Sequence, residues 1–218
     1  MAAPKKPSNP PKLKSIKAIQ NYLAEQDKRL AKFLIGGPLY PVPKQQPYDS
    51  HFETIVSAVI GQQLSGKAAG TIRDRLLAKS GTPVKPKKIL KLGLVELREV
   101  GLSNAKARTI TELSQAVVDG FDLESVDELS DDEIIKELTQ FWGIGQWTVE
   151  MFLMSRLGRL DVWPAGDLGV RRGWNIIQGK PGVPTEKEIA NVADHLSPYR
   201  SVVAWHCWRA ADEKPDPK

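Results

Sequence analysis

Apolar residues recur along most of this chain at helical spacing. Ile16, Ile19 and Leu23 form one stripe, and Ile134, Ile135, Leu138 and Phe141 form another. Recurrence at three and four residues places such positions on one face of a helix. Residues 51–62 and 65–78 read as two helices split near Leu64-Ser65, with Ser65 the N-cap of the second. Gly101-Leu102-Ser103 stops a short helix and caps the next, over 104–118. Ser130 with Glu133 makes a capping box for a helix over 131–139. Further helices are expected over 147–157, 167–177, 185–195 and 199–212. No stretch shows sustained period-two alternation between hairpin turns, and no repeat of fixed period is found. The expected fold class is all-α.

Composition narrows the setting. The chain has 218 residues, 41% of them hydrophobic and 26% charged, which is enough for a sizeable core. Cys207 is the single cysteine, so the chain holds no internal disulfide, cysteine-based metal site or iron–sulfur cluster. This points to a reducing compartment, cytosolic (with the bacterial nucleoid) or nuclear. No apolar run reaches membrane-spanning length, and no secretory signal is read at the basic N-terminus. The net charge of +5 is matched by Lys5, Lys6, Lys12, Lys14 and Lys17 alone, since residues 1–17 carry no acid. The expectation is a basic, disordered tail over 1–11, either a solvated terminus or a weak polyanion contact, on a charge-balanced body.

The richest stretch is FWGIGQWTVEMFLMSRLGRLDVWPAGDLGVRR, residues 141–172. Gly143 and Gly145 break the preceding helix, and both tolerate positive φ. A glycine turn feeding a helix start offers bare amides and a positive dipole end to an anion, although a plain αα-corner uses the same residues. Downstream, Asp167 follows Trp163-Pro164-Ala165-Gly166. An aspartate there is a good N-cap. A carboxylate at a helix N-terminus also keeps its charge, which suits it to stabilise a developing sugar cation or orient a water.

Four pieces in order carry a resemblance: FETIVSAVIGQQLSGKAA at 52–69, GLSNAKARTITELS at 101–114, the hairpin with its PAGDL corner, and PYRSVVAWHCW at 198–208. Together they cover about residues 48–210. They resemble the helix-hairpin-helix DNA glycosylase superfamily, and within it the alkylated-base, 3-methyladenine DNA glycosylase II type. The resemblance implies two helical lobes with the active site in the cleft between them. One lobe would be built from 12–47 and 164–213, the other from 48–163, ending in the hairpin at about 131–158.

It further implies a monofunctional glycosylase that releases alkylated purines, of the 3-methyladenine and 7-methylguanine type, from double-stranded DNA by base flipping. Asp167 falls on the catalytic position. Trp147 stands where bifunctional relatives carry a Schiff-base lysine, so lyase chemistry is not expected. Trp147, Met151 and Trp208 fall on base-pocket positions, an indole being suited to stack on a cationic purine. The amides of Gly143, Gly145 and Trp147, with Thr148, would face a DNA phosphate; Ser103 and Lys106 would hold a second one or be a cap and a solvated lysine. Gln63, with Leu64 beside it, takes the wedge position that fills the gap left by the flipped base. Carbonyls of Thr139, Phe141 and Ile144 would surround a structural Na+ or K+. No cofactor for catalysis is implied, and a monomer without membrane contact is expected. Trp142 stands where proline is usual. The alternatives are a hairpin module that binds distorted DNA without catalysis, and a glycosylase for another lesion such as uracil or hypoxanthine.

Overall fold

The computed structural model describes residues 12–42 and 50–213. Among them there is no strand. The helices in chain order are α1 (Ile16–Gln26), α2 (Lys28–Leu34), α3 (His51–Gly61), α4 (Gly66–Ser80), α5 (Pro86–Glu99), α6 (Asn104–Val118), α7 (Asp131–Thr139), α8 (Gln146–Ser155), α9 (Leu168–Gln178), α10 (Glu186–Ile189) and α11 (Arg200–Glu213). None is long and apolar enough to cross a membrane. The basic tail over 1–11 lies outside the described residues, as does the connector at 43–49.

Most helix starts are set by short polar side chains. Ser15, Ser50, Ser65, Ser103 and Ser130 each accept a hydrogen bond from the first-turn amide three residues on, which satisfies donors that the helix itself cannot. Asp27 ends α1, and its carboxylate accepts from the Arg29 amide to start α2. The single helix expected over 185–195 breaks. After α10 the chain continues through i→i−3 bonds, Val192 to Ile189 and Leu196 to Ala193. The tighter winding lets Ile189, Ala193 and Leu196 all be buried.

The chain divides into two compact units, Met1–Val42 with Gly158–Lys218, and Pro43–Leu157. The first holds α1, α2 and α9–α11. Its closest packing is α9 on α11, where Gly173 lies so near that a Cβ would sit 1.8 Å from the Cys207 carbonyl oxygen. The boundary expected at 163/164 falls instead at 157/158. The reason is polar: Asp161 takes the Arg200 guanidinium at 2.8 Å, and the Val162 amide donates to Ser201 Oγ at 2.9 Å. These bonds tie 158–163 to α11.

The second unit holds α3–α8. Its centre is α3, where Phe52, Ile55, Val56, Val59 and Ile60 are all buried. Helix α3 packs on α4, α6 and α8, and α5 packs on α6. His51, the first residue of α3, is also buried. Its ring meets Phe152 edge-on, and its Nδ1 accepts from Arg156 Nε at 3.0 Å.

Candidate active site and hairpin

The unit built from both chain ends carries Asp167. Pro164 and Gly166 lie in the irregular run and turn before it, and Asp167 caps α9. The Val170 amide donates to Asp167 Oδ1 at 2.8 Å, and the Trp208 indole N–H donates to the same oxygen at 2.8 Å. Two donors on one oxygen fix the rotation of the carboxylate. Trp208 reaches it because Gly169 has no side chain: a Cβ there would lie 2.8 Å from the Trp208 ring. The ring, expected as a pocket aromatic, is half-buried and holds the acid through its nitrogen.

Cys207 is fully buried beside this carboxylate. Burial, and then the Asp167 charge, push its thiol up, which leaves it no role as a nucleophile. His206 is also buried, and burial with the Arg209 charge pushes it down to about 4. It is a packed histidine, neutral at pH 7.

The other unit carries the hairpin between α7 and α8. Gly143 has φ +79°, and a Cβ there would lie 2.0 Å from Thr109 Oγ1. Glycine is therefore required twice, by backbone conformation and by the approach of α6. Gly145 is the N-cap of α8. Gly143 and Gly145 are exposed while Ile144 between them is buried, so the turn is pinned by one apolar side chain. The Phe141 carbonyl accepts from the Ile144 amide at 3.0 Å; Thr139 is exposed at the end of α7. Trp142, half exposed, lies under the Arg108 guanidinium at 4.3 Å. That stack from α6 holds the turn where a proline would have stiffened it.

On α8, Trp147 and Met151 are half-buried on the face that Met154 continues into the core. Thr148 is buried, and its hydroxyl accepts from Gln62 Nε2 at 2.8 Å, so it faces inward rather than toward a backbone phosphate. Gln62 Nε2 also donates to the Gly143 carbonyl at 3.0 Å. Lys106 is likewise taken up. Its Nζ donates to the carbonyls of Ile60 at 2.8 Å and Gln62 at 2.7 Å, and burial lowers its pKa. Ser103 Oγ caps α6 by accepting from the Lys106 amide. Gln63 and Leu64 are both exposed at the tip of the α3–α4 turn. Gln63 has φ 55°, the one positive-φ residue other than glycine among the described residues. Sequence reading missed Gln62, Arg108, Thr109 and Gly169. Only Gln62 left a signal, a second glutamine beside the expected wedge.

Among the described residues no group of three or more His, Cys, Asp or Glu side chains could hold a metal ion. The polar chemistry lies instead in one fixed carboxylate and one glycine hairpin. The chain is similar to known proteins over most of its length. The family described as HhH-GPD superfamily base excision DNA repair protein matches residues 56–198. DNA-3-methyladenine glycosylase 1 of Schizosaccharomyces pombe is 34% identical over 195 residues, covering 87% of this chain and 83% of that protein. A solved 3-methyladenine DNA glycosylase of the same yeast, in complex with abasic DNA, superposes with a TM-score of 0.81 at 30% identity, covering 88% and 95% of the two chains. DNA-3-methyladenine glycosidase of Bacillus halodurans superposes with a TM-score of 0.72 at 32% identity, covering 90% and 89%.

Proposed function

The chain belongs to the HhH-GPD superfamily of base excision DNA repair proteins, and we propose that it is a monofunctional DNA glycosylase that releases alkylated purines from double-stranded DNA. The observation that carries this reading is the Asp167 carboxylate, held on Oδ1 by the Val170 amide and the Trp208 indole.

The chemistry asks for little more than that acid. Alkylation at a ring nitrogen leaves the base cationic. The bond from the sugar C1′ to the base nitrogen then breaks with its electron pair going to the base, which departs neutral. The sugar is left as an oxocarbenium-like cation. Asp167 stabilises that cation and orients the water that adds to C1′, the water's proton passing to solvent or to the carboxylate. One carboxylate is sufficient because the leaving group is already activated. Trp147, in the place of a Schiff-base lysine, offers no amine nucleophile, so the product is an abasic site without strand cleavage.

The hairpin amides of Gly143, Gly145 and Trp147 would grip a backbone phosphate. Trp147, Met151 and Trp208 would contact the extruded base, and Gln63 with Leu64 would enter the gap it leaves. Carbonyls of Thr139, Phe141 and Ile144 are neutral oxygen donors, which suit a hard monovalent cation rather than a thiophilic metal.

The test is release of methylated purines from duplex DNA by wild type and Asp167→Asn. Asparagine is as good an N-cap as aspartate, so the fold is retained while the charge is removed. The expected loss of rate is at least about 100-fold, the scale on which transition-state charge stabilisation acts. Equal release by both would overturn the role of Asp167. Duplex binding without release from any alkylated substrate would identify a recognition module instead.

A further inference from the structure

The α3–α4 turn is held by two sets of hydrogen bonds. Gly61 to Leu64 form a type II turn: the Leu64 amide donates to the Gly61 carbonyl at 3.1 Å. Gln62 has φ −50° and ψ 127° in the second position, and Gln63 has φ 55° in the third. That third position ordinarily takes glycine, because a side chain there is strained. A non-glycine residue kept in such a conformation needs surroundings that over-determine it, and such outliers cluster at functional sites.

Those surroundings are Lys106 and Gln62. Lys106 reaches from the first turn of α6 and places its ammonium on the carbonyls of Ile60 and Gln62, at 2.8 and 2.7 Å. These are charge-assisted bonds to the end of α3, where carbonyls lack helical partners. The Gln62 side chain reaches the hairpin. Its Nε2 bridges the Gly143 carbonyl and the Thr148 hydroxyl, at 3.0 and 2.8 Å. Gly143 lies in the glycine hairpin and Thr148 in the first turn of α8. The turn that presents exposed Gln63 is thus bonded to the turn that presents exposed Gly143 and Gly145.

We propose that Gln62 and Lys106 are positioning residues that lock the Gln63 turn in fixed register with the hairpin, so that gripping the backbone and filling the gap of the flipped nucleotide occur as one event. The inference rests on the glycosylase reading above. Neither residue touches DNA in this role. Lys106 acts through the carbonyls of Ile60 and Gln62 beside Gln63, and Gln62 acts through Gly143 and Thr148.

A strut of this kind matters in proportion to the cost of flipping. Extruding a stacked, paired nucleotide costs a few kcal/mol, and much less is needed for one already unpaired. The experiment is single-turnover release of the same alkylated purine from two duplexes, one with the lesion paired and one with it opposite an abasic gap. Wild type and Gln62→Leu are compared, leucine keeping the size and removing both hydrogen bonds. The expected result is a loss of about tenfold on the paired substrate, the scale of two hydrogen bonds, and of less than about twofold on the unpaired one. Lys106→Met shifts the ratio in the same direction, and Lys106→Arg restores it in part.

If Gln62→Leu fails to melt cooperatively, Thr148→Val removes one of the two acceptors isosterically and reads the same ratio. An equal fall on both substrates, or none on either, overturns the strut while leaving the glycosylase reading intact. No release by wild type from either duplex overturns both.

Discussion

Trp208 and Asp167 are forty-one positions apart in the chain and 2.8 Å apart in the fold. The indole nitrogen, rather than the aromatic face, is what the carboxylate meets. Trp208→Phe keeps a ring in the same place and removes that donor. Asp167 then retains only the Val170 amide among the two donors on Oδ1, and its carboxylate turns more freely. A turnover reduced several-fold is expected, with an unfolding free energy lower by about 1 kcal/mol, the scale of one hydrogen bond. A purely stacking role predicts the opposite split, with KM raised and turnover unchanged. Steady-state rates on one alkylated duplex separate the two. The position of Asp167 was legible from its Pro-Ala-Gly-Asp corner, because capping is local. The Trp208 bond was not, because nothing near Trp208 in sequence announces a partner on another helix. Gly169 is the same lesson from the other side: its missing Cβ is explained only by the ring lying 2.8 Å from where that atom would be.

Helices were legible where their ends are written in adjacent residues. Ser103 and Ser130 started α6 and α7 as read, and Gly143 and Gly145 marked the hairpin. The failures came where tertiary burial overrode the pattern, as in the tightened turns after α10. The hairpin shows how one element is shaped by another. Thr109 of α6 occupies the space a Gly143 side chain would need, and Arg108 of α6 stacks on Trp142. Gly143→Ala would add both a strained positive φ and a clash at 2.0 Å with the Thr109 hydroxyl. The backbone term is about 1 kcal/mol and overpacking adds roughly 1–3 kcal/mol. The expected result is a fall in melting temperature of several degrees and weakened duplex binding. Thr109→Ala in the same chain removes the clash and leaves the φ penalty, so it restores part of the loss. Full rescue, or none, would show that this account of the glycine is wrong.

Across the molecule, the three histidines lie in different surroundings and share one direction of shift. His51, His195 and His206 are all lowered, with burial the largest cause in each. None gains net stabilisation of its charged form, so each opposes protonation in the folded chain. His206 is the most defined, with a folded pKa of about 4 against an ordinary 6.5. Between those values the unfolded chain binds a proton that the folded chain does not. Stability therefore rises with pH across this window and is lost as pH falls from about 6.5 toward 4. From pH 7 to pH 5 the loss attributable to His206 alone is roughly 1–2 kcal/mol. Glu133 and Glu188 act in a separate, lower range. Their pKa values are lowered by hydrogen bonds from Ser130 and Thr185, so their contribution is lost only below the ordinary carboxylate value. Urea unfolding at pH 7, 6 and 5 isolates the histidines from these acids. His206→Phe, which fills the same buried space without a titrating group, should flatten the profile by the His206 share while His51 and His195 keep a residual slope. A profile with an unchanged slope would show that His206 accepts a proton in the folded chain as readily as in the unfolded one.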